Sequence, residues 1–329
     1  MAPKYDFHTK GSDLVQEFAG SIKDKVILVT GTSPGGIGAL YATAVAAASP
    51  ALIILAGRTT ASVEPTAQAV HQANAAVKTK LLAVDLGSFK SVRAAAAEVN
   101  SWADVPYIDL LVNNAGIMGG PWRKTEDGFE SQFAVNHLGH FLLTNLIMDK
   151  VLASKTPRIV NVSSNGHRLG GMRWFDYNFE DGRLYDNWRA YGQSKTANNL
   201  FSVALAAKLG RKGLQSYSLS PGAYNSNLGR DLDFASGAAL EELRAADEKV
   251  GTQYLFEKAV PWSDADQIIA THVLTSFSEN LTGLNGKYFA YSNVADQYKD
   301  EVYPWATDPI DADRLWDLSE KLVGQEFRY

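Results

Sequence analysis

Residues 26–38 read Val-Ile-Leu-Val-Thr-Gly-Thr-Ser-Pro-Gly-Gly-Ile-Gly, and this stretch constrains the fold more than any other. Its first four residues are the apolar run expected of a strand buried on both faces. The chain then turns through Gly31, Gly35, Gly36 and Gly38. Ala42, Ala44, Ala46, Ala47 and Ala48 follow in a segment that favours helix. Glycines at such a junction permit a tight turn and let an anion approach the backbone. The helix start adds N–H groups and a partial positive charge. The simpler reading is a plain strand-to-helix turn. The buried run before the glycines and the helix after them favour a site for a dinucleotide's diphosphate.

The rest of the chain repeats the alternation. Apolar runs at 52–55, 81–84, 108–112, 158–162, 214–219 and 287–290 predict further strands. Helical patterns are expected over 13–18, 64–77, 89–100, 128–151, 189–209 and 238–250. The class is therefore α/β: a parallel sheet of about seven strands with helices on both faces. No second alternating series occurs. Residues 25–329 are expected to form one domain behind an N-terminal lead, 1–24, with a short helix. Ligands of such sheets sit at the carboxyl ends of the strands. Arg58, Asp85, Asn113, Ser164 and Ser220 all fall at those ends, which points to one composite site.

Composition narrows the function classes. The net charge is −5 and Lys/Arg clusters are lacking, which argues against a nucleic-acid surface. No apolar run approaches the ~20 residues of a membrane span, so no integral membrane segment is expected. The chain has no cysteine, which removes disulfides and thiolate chemistry. The first residues lack a secretory apolar core, and a cytoplasmic enzyme is the expectation. His140 and His167 have no partner at ligand spacing, so no metal is expected.

Tyr191-Gly192-Gln193-Ser194-Lys195 places a phenol and an ammonium four residues apart, on one face of a helix. A lysine beside a phenol favours the phenolate. With 14 tyrosines, such a pair arises by chance about once, and Tyr254/Lys258 is a second copy. Context separates them: Tyr191 opens the helix that follows a strand ending in Ser163-Ser164, whereas Tyr254 has no such neighbour and is read as packing.

These motifs, in this order, resemble the short-chain dehydrogenase/reductase family, with a single Rossmann-type doubly wound domain. The resemblance runs from about residue 25 to 290. It rests on Thr30-Gly31 and Gly36-Ile37-Gly38, Asp85, Asn113-Asn114-Ala115-Gly116, Asn136, Ser164, Tyr191/Lys195 and Pro221-Gly222. The segments 133–141 and 159–164 are similar to the retinol-dehydrogenase and WW-domain-oxidoreductase branch, in fungal-type form, although no WW domain is present.

The resemblance implies roles. Tyr191 would be the general acid–base, Lys195 would lower its pKa and bond the nicotinamide ribose, and Ser164 would hold the substrate oxygen. Asn136 would hold a water in a proton relay. Gly31, Ser33, Gly36, Ile37, Gly38, Arg58, Asp85, Leu86, Asn113, Ala115, Gly116, Pro221, Gly222 and Ser226 would line the cofactor together with Tyr191 and Lys195. The long helices around Asn136 and Lys195 would allow a homodimer. Two departures stand out. The glycine turn is one residue longer than the family's, with Gly35 as the insertion, and Tyr224 replaces an aliphatic residue after Pro221-Gly222.

The end of the second strand reads Ala56-Gly57-Arg58-Thr59-Thr60 and lacks the acid that bonds ribose hydroxyls in NAD enzymes. An arginine there can pair with a 2′-phosphate, so NADP(H) is the expected cofactor. Aromatics at Trp174, Phe175, Tyr177, Phe179, Tyr185 and Trp188, and a lid over about 223–262 carrying Tyr224, Leu228, Leu232 and Phe234, point to a bulky hydrophobic carbonyl or alcohol as substrate. The alternatives are a cofactor-binding scaffold or regulatory protein on the same fold, or an imine reductase or epimerase variant.

Overall fold

Every residue of Val26–Thr30 is buried, because this strand (β1) is covered on both faces. The computed structural model describes residues 4–234, 236–251, 262–299 and 301–329. Around β1 lie β2 (Leu52–Gly57), β3 (Lys78–Ala83), β4 (Leu110–Asn113), β5 (Arg158–Val162), β6 (Gln215–Ser220), β7 (Tyr288–Ala290) and β8 (Asn293–Val294). They form one eight-stranded sheet in the order β3-β2-β1-β4-β5-β6-β7-β8. All neighbours are parallel except β7 and β8. The direction of strand succession reverses between β1 and β4, where Val29 lies beside both Leu55 and Val112. That reversal leaves a crevice beyond the carboxyl ends of these strands.

Alternate residues of each strand feed two cores. Leu28, Ile54, Leu111 and Ile159 pack under the helices Phe89–Ser101, Gly139–Leu146, Asn187–Leu209 and Pro309–Val323. Ile27, Ile53, Val112 and Tyr217 pack under Gly11–Glu17, Ile37–Ala46, Glu64–Ala73 and Ala270–Phe277. Each fully buried aliphatic side chain contributes roughly 1.5–3 kcal/mol relative to exposure.

The sheet has one strand more than the apolar runs indicated, because β8 is only two residues long and antiparallel. The third strand also begins earlier than 81. Lys78, Thr79 and Lys80 belong to it, and polar residues suit it because it is the sheet's edge. The helix expected over 128–151 is broken. Glu130 starts it by accepting from the N–H groups of Gln132 and Phe133, both at 2.8 Å. A π-helical turn, Ala134–Leu138, follows Ser131–Phe133, and Ile147 separates Gly139–Leu146 from Met148–Leu152.

The outer face of the helices around Asn136 and Lys195, where a homodimer was expected, carries the chain's own C-terminal helix. Trp316 meets Phe141 edge-on with centroids 5.1 Å apart. The Ser319 hydroxyl lies 2.8 Å from His137 Nε2. Among the described residues no helix is long and apolar enough to cross a membrane.

Burial holds several histidines neutral. It pushes His140 down to about 4, and His137, His167 and His272 down to about 3. The unfolded chain, with histidines near 6.5, therefore binds protons that the folded chain refuses. Stability present above pH ~6.5 is lost as pH falls, by up to about 1.4 kcal/mol per pH unit for each such histidine. Urea denaturation should show a clearly lower midpoint at about pH 5 than at about pH 7. An unchanged midpoint would contradict this account.

Candidate active site

The site begins where β1 ends. Gly31 is left-handed (φ 72°), and a Cβ there would lie 2.6 Å from Ala115 Cα. Only glycine lets the turn after β1 come this close to the loop after β4. A Cβ on Gly38 would meet Asn114 Nδ2 at 2.5 Å, so the start of the Ile37–Ala46 helix is pressed against that same loop. Gly36 occupies the N-cap and no side chain caps the first turn, which leaves this helix end suited to an anion. A compact turn, backbone close approach and an uncapped helix start fit a dinucleotide diphosphate.

Hydrogen bonds fix the two strand ends together. Thr30 Oγ1 accepts from the N–H groups of Asn114 at 2.9 Å and Ala115 at 3.0 Å. His140 Nδ1 lies 3.0 Å from the Asn136 carbonyl, which can only accept, so Nδ1 carries the proton. Nε2 of the neutral ring then accepts from the Thr30 hydroxyl at 2.9 Å. The Asn136 side chain pairs with Ile117 like a strand neighbour, accepting from its N–H at 2.8 Å and donating to its carbonyl at 3.0 Å. Asn136 Nδ2 also donates to Ser194 Oγ at 2.9 Å, and Ser194 donates to the Tyr191 carbonyl at 2.8 Å. The π turn thus ties the loop after β4 to the helix that carries Tyr191 and Lys195.

Ser164 follows β5 and caps a short 3-10 turn, accepting from Gly166 N–H at 2.9 Å. Ser164 Oγ and the Tyr191 ring both flank Gly166, where a Cβ would lie 3.3 Å from the hydroxyl and 2.6 Å from Tyr191 Cε1. Lys195 Nζ donates to the Val162 carbonyl at 3.0 Å and lies 5.6 Å from the Tyr191 ring centroid. Ser163 turns inward instead and donates to the Lys195 carbonyl at 2.8 Å. Burial pushes the Tyr191 phenol up to about 12, against the downward pull of the Ser164 hydrogen bond. Burial also brings Lys195 down to about 7. The lowered phenol expected from the Tyr191/Lys195 spacing is thus opposed by burial, which acts on both side chains.

Gly31, Ser33, Gly36, Ile37, Arg58, Asp85, Leu86, Ala115, Gly116, Ser164, Tyr191, Lys195, Pro221, Gly222 and Ser226 all face one cleft of about 960 Å³. Three expected site residues do not line it. Gly38 packs on Asn114. Asn113 points into the protein, donating to Thr144 Oγ1 and Asn161 Oδ1, both at 2.9 Å, and its neighbour Asn114 faces the cleft instead. Asn136 sits behind Gly116, where a Cβ would lie 3.2 Å from its Oδ1 and 3.5 Å from Lys195 Nζ.

The aromatic walls are also corrected. Trp188, Tyr224, Leu228, Leu232 and Phe234 line the cleft. Trp174 lies under the Arg314 guanidinium at 4.3 Å, Tyr177 packs on the core, Phe179 is fully buried and Phe175 is 96% exposed. Tyr185 faces a smaller neighbouring pocket. His167 is structural: Nδ1 is 2.8 Å from the Ser164 carbonyl and Nε2 accepts from Tyr303 N–H at 3.3 Å. Tyr254 and Lys258, and part of the expected lid, lie outside the described residues. Sequence reading placed Asn114 within the Asn113–Gly116 motif without separating it from Asn113, and it missed Gly166, the role of His140, and the buried, cleft-lining Arg168 and Asp247. Only a mid-helix asparagine, a poor helix former, hinted at the π turn.

A model of the short chain dehydrogenase family matches residues 25–178. The chain is 36% identical over 315 residues to the short-chain dehydrogenase/reductase prx1 of Penicillium rubens, covering 92% of this chain and 86% of that one. The chain belongs to the short-chain dehydrogenase/reductase family. Human retinol dehydrogenase 13 is 36% identical, covering 93% of this chain and 86% of that one. The chloroplastic short-chain dehydrogenase TIC 32 B of Brassica napus is 38% identical, covering 90% and 88%. Among solved structures, an uncharacterized protein of Mycobacterium paratuberculosis aligns with a TM-score of 0.65 and 28% identity, covering 94% of this chain and 98% of that one. As a short-chain dehydrogenase/reductase, the chain is an oxidoreductase of a family that uses nicotinamide dinucleotides.

Gly166 offers a test of this geometry. A Cβ there would lie 2.6 Å from Tyr191 Cε1. Gly166→Ala should displace the phenol and lower kcat by ~10²-fold or more, as should Tyr191→Phe, with affinity for the nicotinamide cofactor changed far less. Steady-state turnover alongside titration of the nicotinamide cofactor checks this. Wild-type kcat in Gly166→Ala would contradict it.

Proposed function

We propose that the chain is an NADP(H)-dependent oxidoreductase that interconverts a carbonyl and an alcohol on a bulky, largely apolar substrate. The observation that carries this reading is the convergence of Ser164, Tyr191 and Lys195 in the same cleft as the Gly31–Gly36 turn.

Bound NADPH supplies the hydride. Tyr191 gives its phenolic proton to the carbonyl oxygen as charge develops there. Ser164, which lines the same cleft as Tyr191, donates to the same oxygen and orients it. Lys195 would hold the cofactor's ribose, and its ammonium, when charged, favours the Tyr191 phenolate. In oxidation the same groups run in reverse. Asn136 keeps the Tyr191–Lys195 helix in register with the Gly116–Ile117 edge of the cleft.

The cofactor preference rests on Arg58, which lines the cleft at the end of β2 with no carboxylate from 56 to 60. A guanidinium there suits a 2′-phosphate in a charge-assisted fork. The Thr59 hydroxyl accepts from Ser62 N–H at 3.2 Å, so its main work is to shape the turn that presents Arg58. The apolar wall of Met118, Leu169, Trp188, Leu232 and Leu243 favours a bulky apolar substrate body.

kcat/KM with NADPH should exceed that with NADH by ~10-fold or more, and Arg58→Ala should remove most of that preference. Across a series of ketones, kcat/KM should rise with apolar size. Equal use of NADH would overturn the cofactor assignment. Better turnover of short polar ketones would overturn the substrate assignment and leave the reductase standing.

A further inference from the structure

The extra residue of the glycine turn, Gly35, follows Pro34, and the structure gives this corner a partner. The Pro34 carbonyl accepts from Asn227 Nδ2 at 2.8 Å. Gly35 is left-handed (φ 79°), and a Cβ there would lie 2.9 Å from that same Nδ2. Asn227 opens the short turn Asn227–Gly229, held by Ser226 Oγ, which accepts from Leu228 N–H at 3.3 Å. The same segment reaches the opposite rim. A Cβ on Gly119 would lie 2.4 Å from the Leu232 side chain, and one on Gly120 would lie 3.3 Å from Asp231 Cβ. Residues 226–232 therefore roof the cleft, resting on the inserted turn at one side and on the loop after β4 at the other.

We propose that Asn227 and the Pro34–Gly35 corner, lengthened by Gly35, form a latch that holds this roof over the diphosphate turn and sets how fast the dinucleotide leaves. Asn227 is a positioning residue: it acts through the roof and not on the reacting atoms. Gly35 is required because any side chain there would occupy the space of the Asn227 amide and strain a left-handed backbone. Opening such a roof is a step that product release must wait for. The latch rests on the NADP(H) reading above.

The test is the dissociation rate of NADPH, followed by stopped-flow fluorescence for the wild type, Asn227→Ala, Gly35→Ala and the double variant. Asn227 is exposed, so its substitution should leave thermal stability unchanged. Loss of one hydrogen bond predicts a dissociation rate about 3–10-fold faster in Asn227→Ala. Gly35→Ala should act similarly, and the double variant should be no faster than the faster single one, because both break the same contact. An Asn227→Ala rate within about twofold of wild type, or effects that multiply in the double variant, would overturn the latch while leaving NADPH binding intact. Wild-type protein that binds no NADPH would instead overturn the cofactor reading and the latch with it. Should Gly35→Ala fail to fold, the Asn227→Ala rate decides alone.

Discussion

The side chain of Asn136 holds both the N–H and the carbonyl of Ile117, reaches Ser194 on the neighbouring helix, and leaves its own carbonyl to His140. The loop after β4 has no strand partner of its own at that point, and Asn136 supplies one. His140 carries the connection to Thr30, whose hydroxyl accepts from the Asn114 and Ala115 N–H groups. This buried chain of polar groups fixes the distance between the diphosphate turn and the Tyr191 helix. Within it the neutral His140 ring donates through one nitrogen and accepts through the other. Removing one member would leave the rest unpaired at a buried site, which costs more than a single hydrogen bond.

The same burial that makes the network strong sets the charge state of the catalytic pair. Burial pushes the Tyr191 phenol up to about 12 and Lys195 down to about 7 in the wall they share. Lys195 Nζ donates to the Val162 carbonyl. The cleft therefore keeps its acid protonated until a bound dinucleotide brings new partners and charge.

What the sequence revealed follows from how local each signal is. The central strands were legible because burial on both faces forces continuous apolar runs, as at 26–29 and 52–55. β3 was legible only in part, since Lys78, Thr79 and Lys80 sit at an edge where polar residues are tolerated. The Tyr191/Lys195 pair was legible as neighbours on one helix face from its spacing, and as a site only from the preceding strand that ends in Ser163-Ser164. The choice between Asn113 and Asn114 was not, because adjacent residues at a strand end face opposite ways and the sequence does not state the register. The π turn at Asn136 carries contacts to residues distant in sequence, Ile117 and Ser194, which no local pattern announces. Trp174 and Phe179 look like Trp188 in a sequence, and only packing sends the first two away from the cleft and the third into its wall. Gly166 is unremarkable in the sequence and becomes necessary only when the Tyr191 ring lies across it.

The central claim is that the folded cleft withholds the phenolate and a nicotinamide dinucleotide releases it. Ultraviolet difference titration of wild type minus Tyr191→Phe, with and without NADP⁺, measures this directly. The free protein should show no Tyr191 phenolate until strongly alkaline pH, in line with a phenol pushed up to about 12. With NADP⁺ bound the transition should move down by ~2 units or more. Identical transitions with and without NADP⁺, or a phenolate already present near neutral pH in the free protein, would contradict the account.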